Sequence, residues 1–235
     1  METRFPHMST STVLAEYRRN LSQFRLWPGI QRYVFALDPA ILICGADNAT
    51  ASTALVSLVT LGGRVRSVLT GSRSREQIIK KEIDSYLKWS EVDGGYRHKT
   101  FLPIIAVVAG KPGQRIGDIS RIMTDQLNFL ADQHREALVI EDDQQGNGAP
   151  AVYSREPPLL YGIIIAGAIA VFVTLDSAQA GAVPRTISHF DFDQRTMDVW
   201  NGFAIAIMVV SVRNYMISIK EHLEDEEEED DDPDA

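Results

Sequence analysis

The chain has 235 residues, 45% of them hydrophobic and 23% charged, which excludes a collagen-like or wholly disordered protein and points to a globular one. A chain of this length buries roughly 70% of the surface it exposes when unfolded, so a disulfide framework is not needed, and its single cysteine, Cys44, excludes one within the chain. The formal charge of −9 belongs to one end: Glu221–Ala235 holds eleven acids and no Lys or Arg, and the rest of the chain carries 23 basic and 21 acidic side chains.

Residues 1–12 read as a flexible N-terminus, and 13–70 as an N-terminal segment or small subdomain. Within it, Leu14, Tyr17, Leu21 and Phe24 recur at helical spacing, and Trp27-Pro28-Gly29 ends that element. Tyr33–Phe35 and Ala40–Cys44 read as strands around an Asp38-Pro39 turn, which makes Cys44 a small buried hydrophobe. The first thirty residues hold Glu16, Arg18, Arg19 and Arg25 and no apolar h-region, so the protein is expected to be intracellular, nuclear or cytoplasmic, and not secreted. Residues 50–61 fit a helix or a strand; Gly62-Gly63 breaks that element, and Val65–Thr70 reads as a strand.

The main α/β (or α+β) core is expected over 71–222, with an exposed loop at 142–150. Ser74 is placed to cap a helix that carries Ile78, Ile79, Ile83, Tyr86 and Leu87 through about Trp89. Phe101–Ala109 has strand length. Ile119–His134 is an amphipathic helix with Ile122, Met123, Leu127, Leu130 and Ala131 on one face, and Ala137–Ile140 reads as a strand. Gly110–Gly117 follows a strand and precedes a helix, but it fails P-loop spacing because Lys111 is followed by Pro112.

Pro157–Leu175 is a run of nineteen uncharged residues, just enough to span a bilayer. Three features favour a buried hairpin instead. The run is rich in β-branched residues, Ala166-Gly167-Ala168 lies near its middle, where a turn needs small residues, and its flanks, Arg155-Glu156 and Asp176, lack a basic cluster. Thr186–Asp193 reads as the next strand. Thr196 is expected to cap a long last helix from about Met197 to Glu224, whose stretch Val199–Val212 is apolar all round, as a helix buried on both sides requires. The alternative is a two-span membrane protein with an acidic cytoplasmic tail.

Three segments together, LLYGIIIAGAIAVFVTLDS, HFDF and DVWNGFAIAIMVVSVRNYM, resemble an uncharacterised group of fungal proteins, as do Glu82–Trp89 and Leu102–Val108. More loosely, the order of elements over about 74–224 is similar to restriction-endonuclease-like domains of the PD-(D/E)XK type. That resemblance implies a mixed sheet with a late strand hairpin and a long buried C-terminal helix. It also implies what an active site would need: an Asp on one strand and Glu/Asp-x-Lys on the next, holding Mg²⁺ to activate water. Strand 101–109 and the hairpin 159–175 carry no acid. Glu82 matches the family's helix-borne Glu, and Asp176 ends the hairpin. With the motif unmatched, a catalytically degenerate core is expected, with no cofactor; Mg²⁺ or Mn²⁺ enters only in the alternative of a metal-dependent nuclease using Asp176, His189, Asp191 and Asp193.

In His189-Phe190-Asp191-Phe192-Asp193 a strand's period of two puts His189, Asp191 and Asp193 on one face, a candidate divalent-metal set that Asp176 and Asp198 are able to join. The plainer reading is an edge strand with both Phe inward and the polar residues in water. Arg64, Arg66, Arg73, Arg75, Lys80 and Lys81 form a basic cluster whose members Arg73, Arg75, Lys80 and Lys81 are candidates for nucleic-acid contact, or else one mixed, solvated face. Glu224–Asp232 is nine acids in a row within a tail, 223–235, that self-repulsion is expected to keep disordered; it reads as a solubility tail, or else as a tether for basic partners or a competitor for the body's own basic face. The expected function is therefore binding without catalysis. The expected partner is a protein, a basic one held by the acidic tail; nucleic acid is the alternative partner, and a membrane is disfavoured.

Overall fold

The computed structural model describes residues 48–68, 73–140 and 152–225, with side chains from Thr50 onward. The expected helix over 14–24, the strands at 33–35 and 40–44, Cys44, the loop 142–150 and the tail beyond Asp225 lie outside the described residues. In chain order the elements are α1 (Asn48–Val59), α2 (Leu61–Arg66), α3 (Arg75–Gly94), β1 (Ile105–Ala109), α4 (Ile116–Leu138), β2 (Leu159–Ala166), β3 (Ile169–Asp176), β4 (Arg185–Asp191) and α5 (Asp198–Ile219). One four-stranded mixed sheet runs β1-β2-β3-β4. β1 and β2 are parallel and joined through α4, and β2, β3 and β4 are successive antiparallel neighbours.

The nineteen-residue apolar run is the β2–β3 hairpin, with Ala166 opposite Ile169. Its two-residue turn has positive φ at Gly167 (61°) and not at Ala168, the pattern of a type II′ turn, which selects Gly at its first position. The run lacks polar alternation because both faces of the sheet are covered. Ile163, Ile165, Ala170 and Phe172 face a helical layer built from α1, α2, α3 and α5. Leu160, Ile164, Val173 and Leu175 face Met123, Leu127 and Leu130 of α4.

α5 is apolar all round because it is packed all round. Phe203, Ala206, Val209 and Val210 join the helical layer, and Val212 and Met216 reach the second core cluster near Tyr96 and Ile104. The stretch Arg195–His222 is long and apolar enough to cross a membrane by length and composition, and over half of its most apolar window is buried here. Its closest partner is α1: a Cβ at Gly202 would stand 2.7 Å from the Val59 backbone, so the two helix backbones meet at a contact that admits no side chain.

Several boundaries differ from the sequence reading, each for a tertiary reason. Residues 50–59 are helical, the break falls at Thr60 and not at Gly62-Gly63, and the expected strand at Val65–Thr70 begins instead as α2, because Leu61 and Val65, one turn apart, are both fully buried in the helical layer. The expected strand at Ala137–Ile140 shrinks to one bridge, Val139 with Tyr153, since α4 continues to Leu138. β1 starts only at Ile105. Ile122 is 46% exposed, on the flank of α4 and not on its buried stripe. Ser74 does cap α3, in a capping box with Gln77. Thr196 does not cap α5: it lies in a 3-10 turn, Arg195–Met197, and Met197 precedes the helix without a side-chain cap bond.

His134, 5% exposed on α4, has its Nε2 3.1 Å from the Pro103 carbonyl and ties that helix to the approach to β1. Burial pushes its pKa below 6.5, with nearby Arg155 acting the same way and the Pro103 hydrogen bond opposing. An unfolded chain then binds a proton that the folded one resists, so stability is full above about pH 6.5 and falls as the pH drops below it. Urea unfolding between pH 7 and pH 5 should show that loss, and His134→Gln, though less stable at pH 7, should show a flatter profile; an unchanged slope would assign the dependence to other groups. By the same measurement Gly202→Ala should cost about 1–3 kcal/mol through overpacking. Gly117→Ala on α4, where a Cβ meets open space, should be neutral or gain up to about 1 kcal/mol.

Candidate functional site

The two charged groups singled out in the sequence meet at two ion pairs. Arg66 of α2 makes a two-pronged ion pair with Asp198, both contacts at 2.6 Å, and its Nη1 also donates to the Phe192 carbonyl at 2.7 Å. This pairing raises the Arg66 pKa still further, chiefly through its hydrogen bond to Asp198. Arg75 reaches Asp193 at 3.0 Å, Arg64 reaches Glu82 at 2.6 Å, and Lys80 pairs with Asp84 one turn along α3. Of the basic candidates, Arg73 and Lys81 remain exposed, while Arg75 and Lys80 are paired with acids.

The His-Phe-Asp-Phe-Asp segment follows the period-two rule in part. Phe190 and Phe192 pack into the helical layer and His189 is exposed. The strand ends at Asp191, however, and Asp193 lies in the turn beyond it. Asp191 accepts from the Asp193 amide (2.9 Å) and from Gln194 Nε2 (3.2 Å), closing a local turn. Asp176 does not join this group. It ends β3 opposite Leu159, whereas Asp191 stands opposite Ile169 at the other end of that strand, roughly 23 Å away at the usual rise per residue. Its carboxylate accepts from the Ala178 amide. Glu82 sits on α3 with Arg64. Among the described residues, no group of three or more His, Cys, Asp or Glu is placed to hold a metal ion.

Two polar residues escaped the sequence reading. Glu76, 7% exposed in the first turn of α3, accepts from the Gly167 amide of the hairpin turn at 3.0 Å. Asn201, fully buried on α5, donates to the Asp191 carbonyl at 2.9 Å. No periodic signal marks either one, since each acts on backbone distant in sequence.

A cavity lies elsewhere, between the ends of α3 and α5 and the segment that leads into β1. It holds about 420 Å³ and is lined by Leu87, Phe101, Ile104, Val212 and Met216, with Ser90, Glu91, Tyr96, Lys99 and Thr100 as its polar groups. Ser90 Oγ donates to the Leu87 carbonyl and lies 3.4 Å from the Tyr96 hydroxyl. Desolvation raises the Glu91 pKa, with Arg97 and Lys88 opposing it, and desolvation likewise raises that of Tyr96. Arg213 and Asp93 form a buried ion pair. A second, more apolar cavity of about 300 Å³ separates α5 from β2–β4.

The acidic run begins at the rim of the larger cleft. Leu223 packs on the second core cluster. The Thr100 amide then donates to the Glu224 carbonyl at 2.9 Å, Lys99 and Asp225 form an antiparallel bridge, and Lys99 Nζ reaches the Asp225 carboxylate at 2.6 Å. The first two of the nine acids are thus fixed to the folded body, at the edge of a pocket that also holds Glu91.

The Arg66 pair, about 20% exposed on both sides, should matter more than its neighbour. Arg66→Met should cost about 1.5–3 kcal/mol by thermal or urea unfolding, because it strands Asp198 and the Phe192 carbonyl. Arg75→Ala, at a pair more than 40% exposed, should cost less than about 1 kcal/mol. Equal effects would show that the two-pronged pair contributes no more than the exposed one. No family model, no curated relative and no solved structure matches this chain, so its function is argued from its own residues.

Proposed function

We propose that this is a non-catalytic binding protein, a degenerate restriction-endonuclease-like core that presents an acidic run to a basic protein segment. The observation that carries this reading is the anchoring of Glu224 and Asp225 on Lys99 and Thr100, which gives the run a fixed origin on the folded surface. From that origin the sequence continues with seven more acids, Glu226–Asp232, and no cation. Such a charge density attracts polycations over about a Debye length, so its binding is fast and salt-sensitive. The acids proposed for a metal centre support the reading too, because they are engaged by protein donors: Asp191 by the Asp193 amide, Asp193 by Arg75 and Asp176 by the Ala178 amide.

The test uses the full chain and a fluorescent octalysine peptide. Binding should weaken steeply as salt rises from about 50 to about 300 mM. A variant with Glu226–Glu229 changed to Gln and Asp230–Asp232 changed to Asn should lose about tenfold or more in affinity at low salt. Equal binding by the two proteins would sink the reading, as would affinity that does not respond to salt.

A further inference from the structure

The cavity between α5 and β2–β4 differs in kind from the cleft that holds Glu91. Phe172 and Phe190, with ring centroids 4.7 Å apart, form one wall, and Ala204 and Ile207 of α5 supply another, around about 300 Å³. A β-bulge extends the first wall. β3 pairs Phe172 with Ser188 and Val173 with Thr186, so Ile187 is the extra residue, and it lines the cavity beside Phe190. Among the described residues, no Asp, Glu, Lys, Arg or His lines this space. Two charged residues stand near one end by register, Asp176 opposite Leu159 and Arg185 opposite Thr174; neither is on the lining, and their charges are of opposite sign. Three hydroxyls do line it: those of Tyr161 and Thr174, which are cross-strand partners, and that of Ser211. Ser211 Oγ already donates to the Ile207 carbonyl at 2.8 Å. Among the described residues, no hydrogen bond engages the Thr174 hydroxyl.

These features discriminate among occupants. An ion would leave water for a lining that offers no counter-charge, which is costly. One turn of helix with its side chains takes roughly 400 Å³, more than this space holds. An extended peptide would bring amides and carbonyls that three hydroxyls leave largely unpaired. A small apolar molecule with one hydrogen-bonding group meets every condition, and an apolar hollow with a few polar groups is the usual form of a small-ligand site. We propose that this cavity binds a neutral, mainly apolar small molecule: an alkyl or aromatic body that carries one hydroxyl or carbonyl. Its body packs against Phe172, Ile187 and Phe190, and its polar group bonds the Thr174 hydroxyl. This goes beyond the acidic-run reading and does not depend on it.

The test titrates full-length protein at pH 7 with 1-octanol, octanoate and octylammonium by calorimetry. The alcohol should bind about tenfold or more tightly than either ion, with a negative heat-capacity change. Ala204→Phe, which fills the cavity from α5, should weaken octanol binding by about tenfold or more. Thr174→Val keeps the shape and so guards against a variant that fails to fold. It should weaken octanol binding about threefold, whereas toluene, which has no hydroxyl, should bind both proteins alike. Octanoate binding as tightly as octanol would overturn the neutral ligand and point to Arg185 instead. No binding by octanol, or octanol binding that Ala204→Phe leaves intact, would overturn the site. Self-association of the protein that octanol reverses would assign the cavity to a second copy and overturn the proposal as well. Octalysine binding should be the same in Ala204→Phe as in the parent chain, so the two readings fail separately.

Discussion

The contact made by Arg66 holds the two halves of the helical layer to the far edge of the sheet. One guanidinium bonds Asp198 with two prongs and the Phe192 carbonyl with one of them, so it spans the turn where β4 becomes α5. That turn needs external donors. Asn201 supplies one to the Asp191 carbonyl, Arg66 supplies one to Phe192, and Arg75 reaches Asp193 from the start of α3. Backbone carbonyls buried in a turn have no ladder to bond to, and side chains from elsewhere must satisfy them. Glu76 plays the converse part at the β2–β3 turn, where its carboxylate accepts from the Gly167 amide. Residues at the start of α3 and on α2 thereby help to hold both the β2–β3 turn and the β4–α5 turn.

Part of the charge that looks most like a site in the sequence is paired off at this end of the molecule. A basic cluster at 64–81 and an acidic group at 191–198 lie more than a hundred residues apart, and folding sets them against each other. The opposite end of the helical layer is built differently. There the ends of α3 and α5 leave an apolar cleft, and the chain's last described residues return to its rim at Lys99. Charge is neutralised by folding at one end and added by the acidic run at the other.

The hairpin was legible because its signals agreed: β-branched residues, a small-residue midpoint and weak membrane flanks all favoured strands paired about Gly167. The capping box of Ser74 and Gln77 was legible too, because its chemistry is confined to four consecutive residues. α2 was not. Val65 favours a strand in isolation, and only its burial one turn from Leu61, together with Arg64 and Arg66 bonding to distant acids, makes that stretch helical. Thr196 misled for a related reason: it has a capping residue's chemistry, but the 3-10 turn places it before the helix proper.

By itself the sequence determined the class of fold, the hairpin, the amphipathic stripe of α4 and the charge imbalance of the tail, because these depend on local periodicity and composition. Only the tertiary structure decided which charges are free, that Asp176 and Asp191 stand at opposite ends of β3, and that the acidic run starts at Lys99 beside a cleft. Electrostatic partnership is a matter of distance in space, and a linear chain does not display the pairings that packing creates between residues far apart along it.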